Sequence, residues 1–251
     1  MRMIRFILIA IMLGGFLIFN IPRSKAKDKL VGTEREREDQ ERSLRTIQKV
    51  FRMMLTAAGA QLTIKGQEHI PDDQAVLYVG NHRSYFDILV GYVSVKGLTG
   101  FISKAELGKV PLLSDWMRHV NCLFLDRKDI KAGMQTILDS IAKVKSGISM
   151  WIFPEGTRCE SENILELLPF KEGSLKIAEK SGCPVIPVAI TGTDELFEKH
   201  FPWVRPAKVT IEFGEPIYIK QLPPEHKKFA GAYTRNKIIE LLKKEQQERR
   251  A

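Results

Sequence analysis

The sequence predicts an α/β fold, a mostly parallel central sheet flanked by helices, preceded by an N-terminal two-helix membrane-associating element. Three observations lead there. From Leu62 onward, short apolar runs alternate with stretches of helical periodicity, the signature of strands joined by crossover helices. Ahead of them lies an amphipathic stretch, and ahead of that the unbroken apolar run FILIAIMLGGFLIF, Phe6 to Phe19. A chain of 251 residues is long enough to bury a sizeable core around such a sheet.

The apolar run has 14 residues, short of the roughly 20 that span a bilayer core as a helix. Arg2, Arg5, Arg23, Lys25, Lys27 and Lys29 bracket it against Asp28 alone, so +5 of the net +9 lies before Val31. A secretory signal peptide has the same outline, but its cleavage site, Ser24-Lys25-Ala26, would be charged. The expectation is therefore an uncleaved anchor, entering one leaflet or crossing both. The basic residues on its carboxyl side keep that side in the cytoplasm. Next comes a helix from near Thr33 to Ala58, with Leu44, Ile47, Val50, Phe51, Met54 and Leu55 as a stripe that faces either the core or the lipid interface. Residues 1–58 thus form an anchor with an amphipathic helix, and residues 59–251 the α/β domain.

Seven strands are expected: Leu62–Lys65, Ala75–Val79, Gly100–Ser103, Cys122–Leu125, Ile148–Phe153, Val185–Ile190 and Val209–Phe213. Between the fourth and fifth, Ile130, Met134, Ile137, Leu138, Ile141 and Val144 share one helical face, which stops at Ser146-Gly147. A shorter helix spans Ser174 to Lys180, ended by Ser181-Gly182, and a charged one runs from about Tyr233 to Arg250.

Composition narrows the function. The three cysteines form no CxxC pair and no zinc spacing, which fits a reducing compartment. The positive charge calls for an anionic partner, but it clusters beside an apolar run without aromatic-basic interleaving, which argues against nucleic acid. There is no GxGxxG, no phosphate loop, no GxSxG elbow and no HExxH. No cofactor and no metal are expected.

Three polar clusters fall at strand ends, where open α/β sheets gather ligands. In NHRSYFD, Asn81 to Asp87, Ser84 can cap the next helix and bring Asp87 into its first turn. A carboxylate there can accept the Nδ1 bond of His82, fix its tautomer and leave Nε2 to take a proton. In FPEGTR, Phe153 to Arg158, Pro154 and Gly156 force a tight turn whose backbone can approach a ligand, with Glu155 an acceptor and Arg158 a fork suited to phosphate. The same residues also fit a structural turn tied by a Glu-Arg ion pair. Lys104 and Arg127 each follow a strand and could join Arg158 in a cationic pocket.

These blocks, in this order, resemble the glycerolipid acyltransferase family, in particular its bacterial 1-acyl-sn-glycerol-3-phosphate acyltransferases. NHRSYFD matches the NHxxxxD block, CLFLDR resembles the second, FPEGTR matches the third unchanged, and VIPVAI, with Pro187, resembles the fourth. The likeness covers about Leu62 to Pro216, with Asn121 standing where the second block commonly has glycine. It implies His82 and Asp87 as the catalytic pair. It makes Glu155 and Gly156 residues that place the acceptor glycerol, Lys104, Arg127 and Arg158 those that hold its phosphate, and Thr157 a further substrate-binding residue. The implied partners are lysophosphatidic acid, acyl-CoA or acyl carrier protein, and membrane phospholipid. The implied location is the cytoplasmic membrane, with the catalytic domain facing the cytoplasm. Glycerol 3-phosphate or another lysophospholipid as acceptor, and a non-catalytic phospholipid-binding protein, remain as alternatives.

Overall fold

A computed structural model describes residues 2–21, 30 and 32–250. The basic flank Arg23, Lys25, Lys27 and Lys29, and the Ser24–Ala26 site, lie outside the described residues. In chain order the helices and strands open with α1 (Arg2–Phe19), α2 (Glu36–Ala58), β1 (Ala60–Lys65), β2 (Leu77–Gly80), α3 (Phe86–Ser94) and β3 (Thr99–Lys104). They continue with α4 (Leu113–His119), β4 (Leu123–Leu125), α5 (Ile130–Lys145), β5 (Ser149–Ile152) and α6 (Lys176–Ser181). The last are β6 (Val185–Thr191), α7 (Thr193–Leu196), β7 (Ala207–Phe213), α8 (Pro224–Lys228) and α9 (Ala230–Arg250).

The strands form one sheet in the order β1-β7-β6-β2-β5-β3-β4. β6, β2, β5, β3 and β4 run parallel, with Leu77 opposite Val185 on one side and Met150 on the other. The edge pair β7 and β1 is parallel within itself but antiparallel to the rest. The strand-helix alternation is interrupted between β6 and β7. The β6–β7 link carries only α7 and a single turn at Glu198–His200, so the chain returns along β6 without a crossover helix.

Two apolar layers enclose the sheet. One joins α2, α3 and α4 through Leu44, Ile47, Val90 and Trp116, and the other joins α5, α6 and α9 through Val144, Ile177, Ile238 and Leu242. An aromatic column stiffens the first layer: Tyr78 lies 5.0 Å from Trp151, Trp151 5.1 Å from Phe101, and Phe101 4.6 Å from Tyr92. Such contacts at 4.5–7 Å add about 0.5–1.5 kcal/mol beyond area burial.

The stripe of α2 faces this core: Leu44, Ile47, Met54 and Leu55 are buried. α1 lies against the same layer. Its Phe16 ring packs 4.7 Å from Trp116, and Arg5 Nη1 donates to the carbonyl of Ala57 at 2.9 Å. This leaves Ile4, Ile7, Leu8, Ile11 and Ile18 exposed along one face. Among the described residues no helix is long and apolar enough to cross a membrane.

On α5 the residues of the shared apolar face divide between the body and solvent. Ile137, Ile141 and Val144 pack on the body, but Ile130 is 84% exposed, Met134 63% and Leu138 53%. The buried face instead uses Thr136 and Ser140. Their hydroxyls donate back to the carbonyls of Ala132 and Thr136, so small polar side chains sit against the sheet with their hydrogen bonds satisfied. Asp129 caps the helix by accepting from the amides of Lys131 and Ala132.

The Asn121 departure also has a conformational reason. Its φ is +63°, the left-handed region that asparagine tolerates best after glycine. Its Oδ1 accepts from Lys143 Nζ at 2.8 Å. Opposite it stands Gly100, where a Cβ would meet the Asn121 carbonyl oxygen at 2.0 Å.

Candidate active site

The sheet order sets the site. At the carboxyl ends of adjacent strands, the β2 loop delivers His82, the β5 loop delivers Glu155 to Arg158, β3 ends on Lys104, and Arg127 follows β4. Asn81 clamps the first of these to the neighbouring strand. Its Nδ2 donates to the Ile190 carbonyl at 2.9 Å and its Oδ1 accepts from the Ile190 amide at 2.8 Å, in full burial.

His82 Nδ1 and Asp87 Oδ2 are 2.8 Å apart. The same oxygen accepts from the amides of Arg83 and Ser84, each at 2.8 Å, while Oδ1 accepts from Thr193 Oγ1 at 2.6 Å. Ser84 Oγ accepts from the Phe86 amide at the start of α3, which holds Asp87 in the first turn. An acceptor-only carboxylate at Nδ1 makes that nitrogen the protonated one. The imidazole stacks on Phe153 with centroids 4.3 Å apart and planes at 13°. Nε2 has no protein partner among the described residues.

Glu155 is buried and held by two backbone amides. Oε1 accepts from the His82 amide and Oε2 from the Leu168 amide, both at 2.8 Å. Burial pushes its carboxyl pKa up, and those two amides pull it back. Glu155 thereby ties the β5 turn to the backbone of the histidine. The alternative of a turn tied by a Glu-Arg ion pair is not found among the described residues, where Arg158 pairs with Glu198 instead.

The three expected cations stand in three different settings. Arg158 Nη1 pairs with Glu198 Oε1 at 3.0 Å, and its guanidinium lies 4.0 Å over the Tyr85 ring. Glu198 Oε1 also accepts from the Tyr85 amide, so the three form a brace. Lys104 is exposed and pairs with Glu106 at 3.1 Å. Arg127 reaches back from the sheet edge to the β5 turn: a Cβ on Gly156 would stand 3.1 Å from Arg127 Nη1 and 3.3 Å from Lys171 Nζ. Gly156 also has φ +81°, which a side chain would strain. Desolvation lowers the Arg127 pKa, with Glu106 opposing it at longer range. Thr157 is exposed beside them. A cleft of about 920 Å³ has Arg83, Tyr85, Arg158, Phe197 and Glu198 on its wall.

Sequence reasoning missed Thr193, the Leu168 amide, Glu198 and Lys171. Each meets the site only through tertiary packing, and none lies in a periodic or motif position. Among the described residues no group of three or more His, Cys, Asp or Glu side chains could hold a metal ion.

A carboxylate-oriented histidine at a strand end, beside a glycine turn and unpaired cations, defines a base-catalysed group-transfer class. The family model described as Acyltransferase matches residues 61–191, and the chain belongs to that family. It is 35% identical over 168 residues to a 1-acyl-sn-glycerol-3-phosphate acyltransferase of Cocos nucifera, covering 66% of this chain and 53% of that protein. It thus spans about half of that relative's length. A protein of the same name in Borreliella burgdorferi is 26% identical over 192 residues, 76% of each chain. The crystal structure of the 1-acyl-sn-glycerophosphate (LPA) acyltransferase PlsC from Thermotoga maritima superposes with a TM-score of 0.73 at 30% identity, covering 95% of this chain and 93% of that one.

Proposed function

We propose that this protein transfers a fatty acyl group from an acyl thioester to the sn-2 hydroxyl of 1-acyl-sn-glycerol 3-phosphate, yielding phosphatidic acid in phospholipid synthesis. The observation that carries the reading is His82, locked through Nδ1 to Asp87 with Nε2 unengaged, in a chain similar over nearly its whole length to PlsC.

Nε2 takes the proton of the sn-2 hydroxyl as that oxygen attacks the thioester carbonyl. The imidazolium is stabilised by Asp87, whose charge is itself held by two amides and a hydroxyl. The tetrahedral intermediate collapses, the C–S bond breaks, and the thiolate leaves and recovers the proton from the imidazolium. No acyl-enzyme forms, which accounts for a site without an activated serine or cysteine: Cys159 is buried, and its Sγ donates to the Glu166 carbonyl. A general base supplies about 10²–10⁴-fold, and alignment of two bound substrates supplies up to about 7–11 kcal/mol.

The exposed apolar face of α1 continues into Phe201 and Trp203: Phe6 stacks on Phe197, which contacts Phe201. In this reading that face enters the cytoplasmic leaflet, where the single-chain acceptor resides, and the donor arrives from the cytoplasm on coenzyme A or a carrier protein. The domain division at residues 58 and 59 follows the same logic, with α1 and α2 joining the lipid surface to the α/β body. The test is mass spectrometry of the product made from a 1-acyl acceptor with each donor. A two-chain phosphatidic acid, with the new chain released by an sn-2-specific lipase, supports the proposal. Donor hydrolysis to free fatty acid, without that product, overturns it.

A further inference from the structure

We propose that Lys171 is the second cation, with Arg127, of the site that takes the acceptor's phosphate, astride Gly156. The inference deepens the acyl-transfer reading above and rests on it. Four observations converge on it. First, the two cationic heads approach one point, 3.1 Å and 3.3 Å from where a Gly156 Cβ would be. Second, neither head has an ion-pair or hydrogen-bond partner within the described residues, whereas Lys104 has Glu106 and Arg158 has Glu198. Two like charges crowded together without a carboxylate partner are stabilised by an anion that bridges them.

Third, backbone fixes the approach. The Lys171 amide donates to the Pro154 carbonyl at 3.1 Å, which holds this residue against the start of the same turn. The next residue, Glu172, is anchored by accepting from the amides of Gly231 and Ala232 at 2.8 and 3.1 Å. Lys171 is therefore an exposed side chain on a pinned backbone.

Fourth, the position suits the substrate. Glu155 holds the His82 amide and Gly156 is its neighbour in the chain. In a glycerol 3-phosphate unit only four bonds separate the sn-2 oxygen from phosphorus, so the phosphate must bind close to the base. The cleft around Arg158 is a poorer host for a dianion, because Asp194, Glu198, Glu160 and Glu162 line it along with its cations. Arg158 in its brace with Tyr85 and Glu198 shapes that wall.

The experiment is steady-state kinetics of Lys171→Ala and Lys171→Arg in the full chain, varying lysophosphatidic acid and acyl thioester separately. Binding of lysophosphatidic acid is also titrated in detergent micelles, without donor. Loss of one charge-assisted contact should raise the acceptor KM and the micellar Kd about ten- to a hundredfold. The donor KM and the thermal midpoint should hold, and Lys171→Arg should restore most of the affinity. An unchanged acceptor KM and Kd in Lys171→Ala, or a change confined to the donor, overturns the assignment. If the native protein gives no product yet the Kd still depends on Lys171, the transfer reading fails while the anion site stands.

Discussion

Replacing Asp87 by asparagine should separate orientation of the base from its electrostatic support. The Asp87 carboxylate is fully buried and accepts four hydrogen bonds: three on Oδ2, from His82 Nδ1 and the amides of Arg83 and Ser84, and one on Oδ1 from Thr193. An asparagine amide that turned its NH2 toward Oδ2's position would face two backbone donors that cannot reverse. It must therefore point its oxygen there and its NH2 at Thr193, whose hydroxyl can accept. Nδ1 of His82 then still donates, and the reactive tautomer survives. In a Ser-His-Asp triad, an amide that traps the wrong tautomer costs about 10⁴-fold, and that penalty is absent here. What is lost is attraction between a carboxylate and an imidazolium about 4 Å apart, about 4 kcal/mol at an effective dielectric near 20. The expected kcat of Asp87→Asn is thus down by about 10³-fold, with little change in either KM. Thiol release at saturating substrates measures it, and a thermal scan checks that the fold persists. A kcat within about fivefold of wild type would refute the electrostatic role.

Three further outcomes follow from the same contacts. Asn81→Asp sets a carboxylate oxygen against the Ile190 carbonyl, where Nδ2 now donates, and should destabilise by about 3 kcal/mol or more. Urea unfolding reads this, and a loss below about 1 kcal/mol would contradict the clamp. Burial raises the Glu155 pKa, so the folded chain holds that proton more tightly than the unfolded one. That contribution is complete below the unfolded value, 4.5, and is lost as pH rises through the folded one. The thermal midpoint of wild type relative to non-titrating Glu155→Gln should accordingly fall as pH rises above 4.5, and a rise instead would mean the amides outweigh burial. Ile11→Asp on the exposed face of α1 should weaken co-sedimentation with anionic vesicles by about tenfold or more, since an isoleucine buried in lipid contributes roughly 1.5–3 kcal/mol. Unaltered vesicle binding would remove α1 from the membrane contact.

The sequence made much of the fold legible because the seven strands are short apolar runs bounded by turn residues, and their period does not depend on tertiary context. It did not reveal the direction of the edge pair: the antiparallel step from β6 to β7 follows from a link without a crossover helix, which local pattern cannot distinguish from a longer return. On α5, the apolar face legible in the sequence is largely exposed at Ile130, Met134 and Leu138, because Thr136 and Ser140 can bury by satisfying their hydroxyls within the helix. The His82–Asp87 contact was readable because both partners lie within one loop and the first turn of a helix. The cation settings were not. Glu198, which engages Arg158, lies 40 residues further along the chain, and Lys171 meets Arg127 only where two strand-end loops fold over Gly156.

In the proposed reaction His82 takes up the hydroxyl proton as the acyl group passes directly from donor to acceptor. The measurement that tests it most directly is rapid-quench thiol release by the full-length protein and His82→Ala, with and without lysophosphatidic acid. Direct transfer predicts no stoichiometric burst without acceptor, acceptor-dependent turnover in the native protein, and turnover lower by at least about 10²-fold in a folded His82→Ala protein. A burst of one thiol per protein in the absence of acceptor, or turnover by His82→Ala equal to that of the native protein, would contradict it.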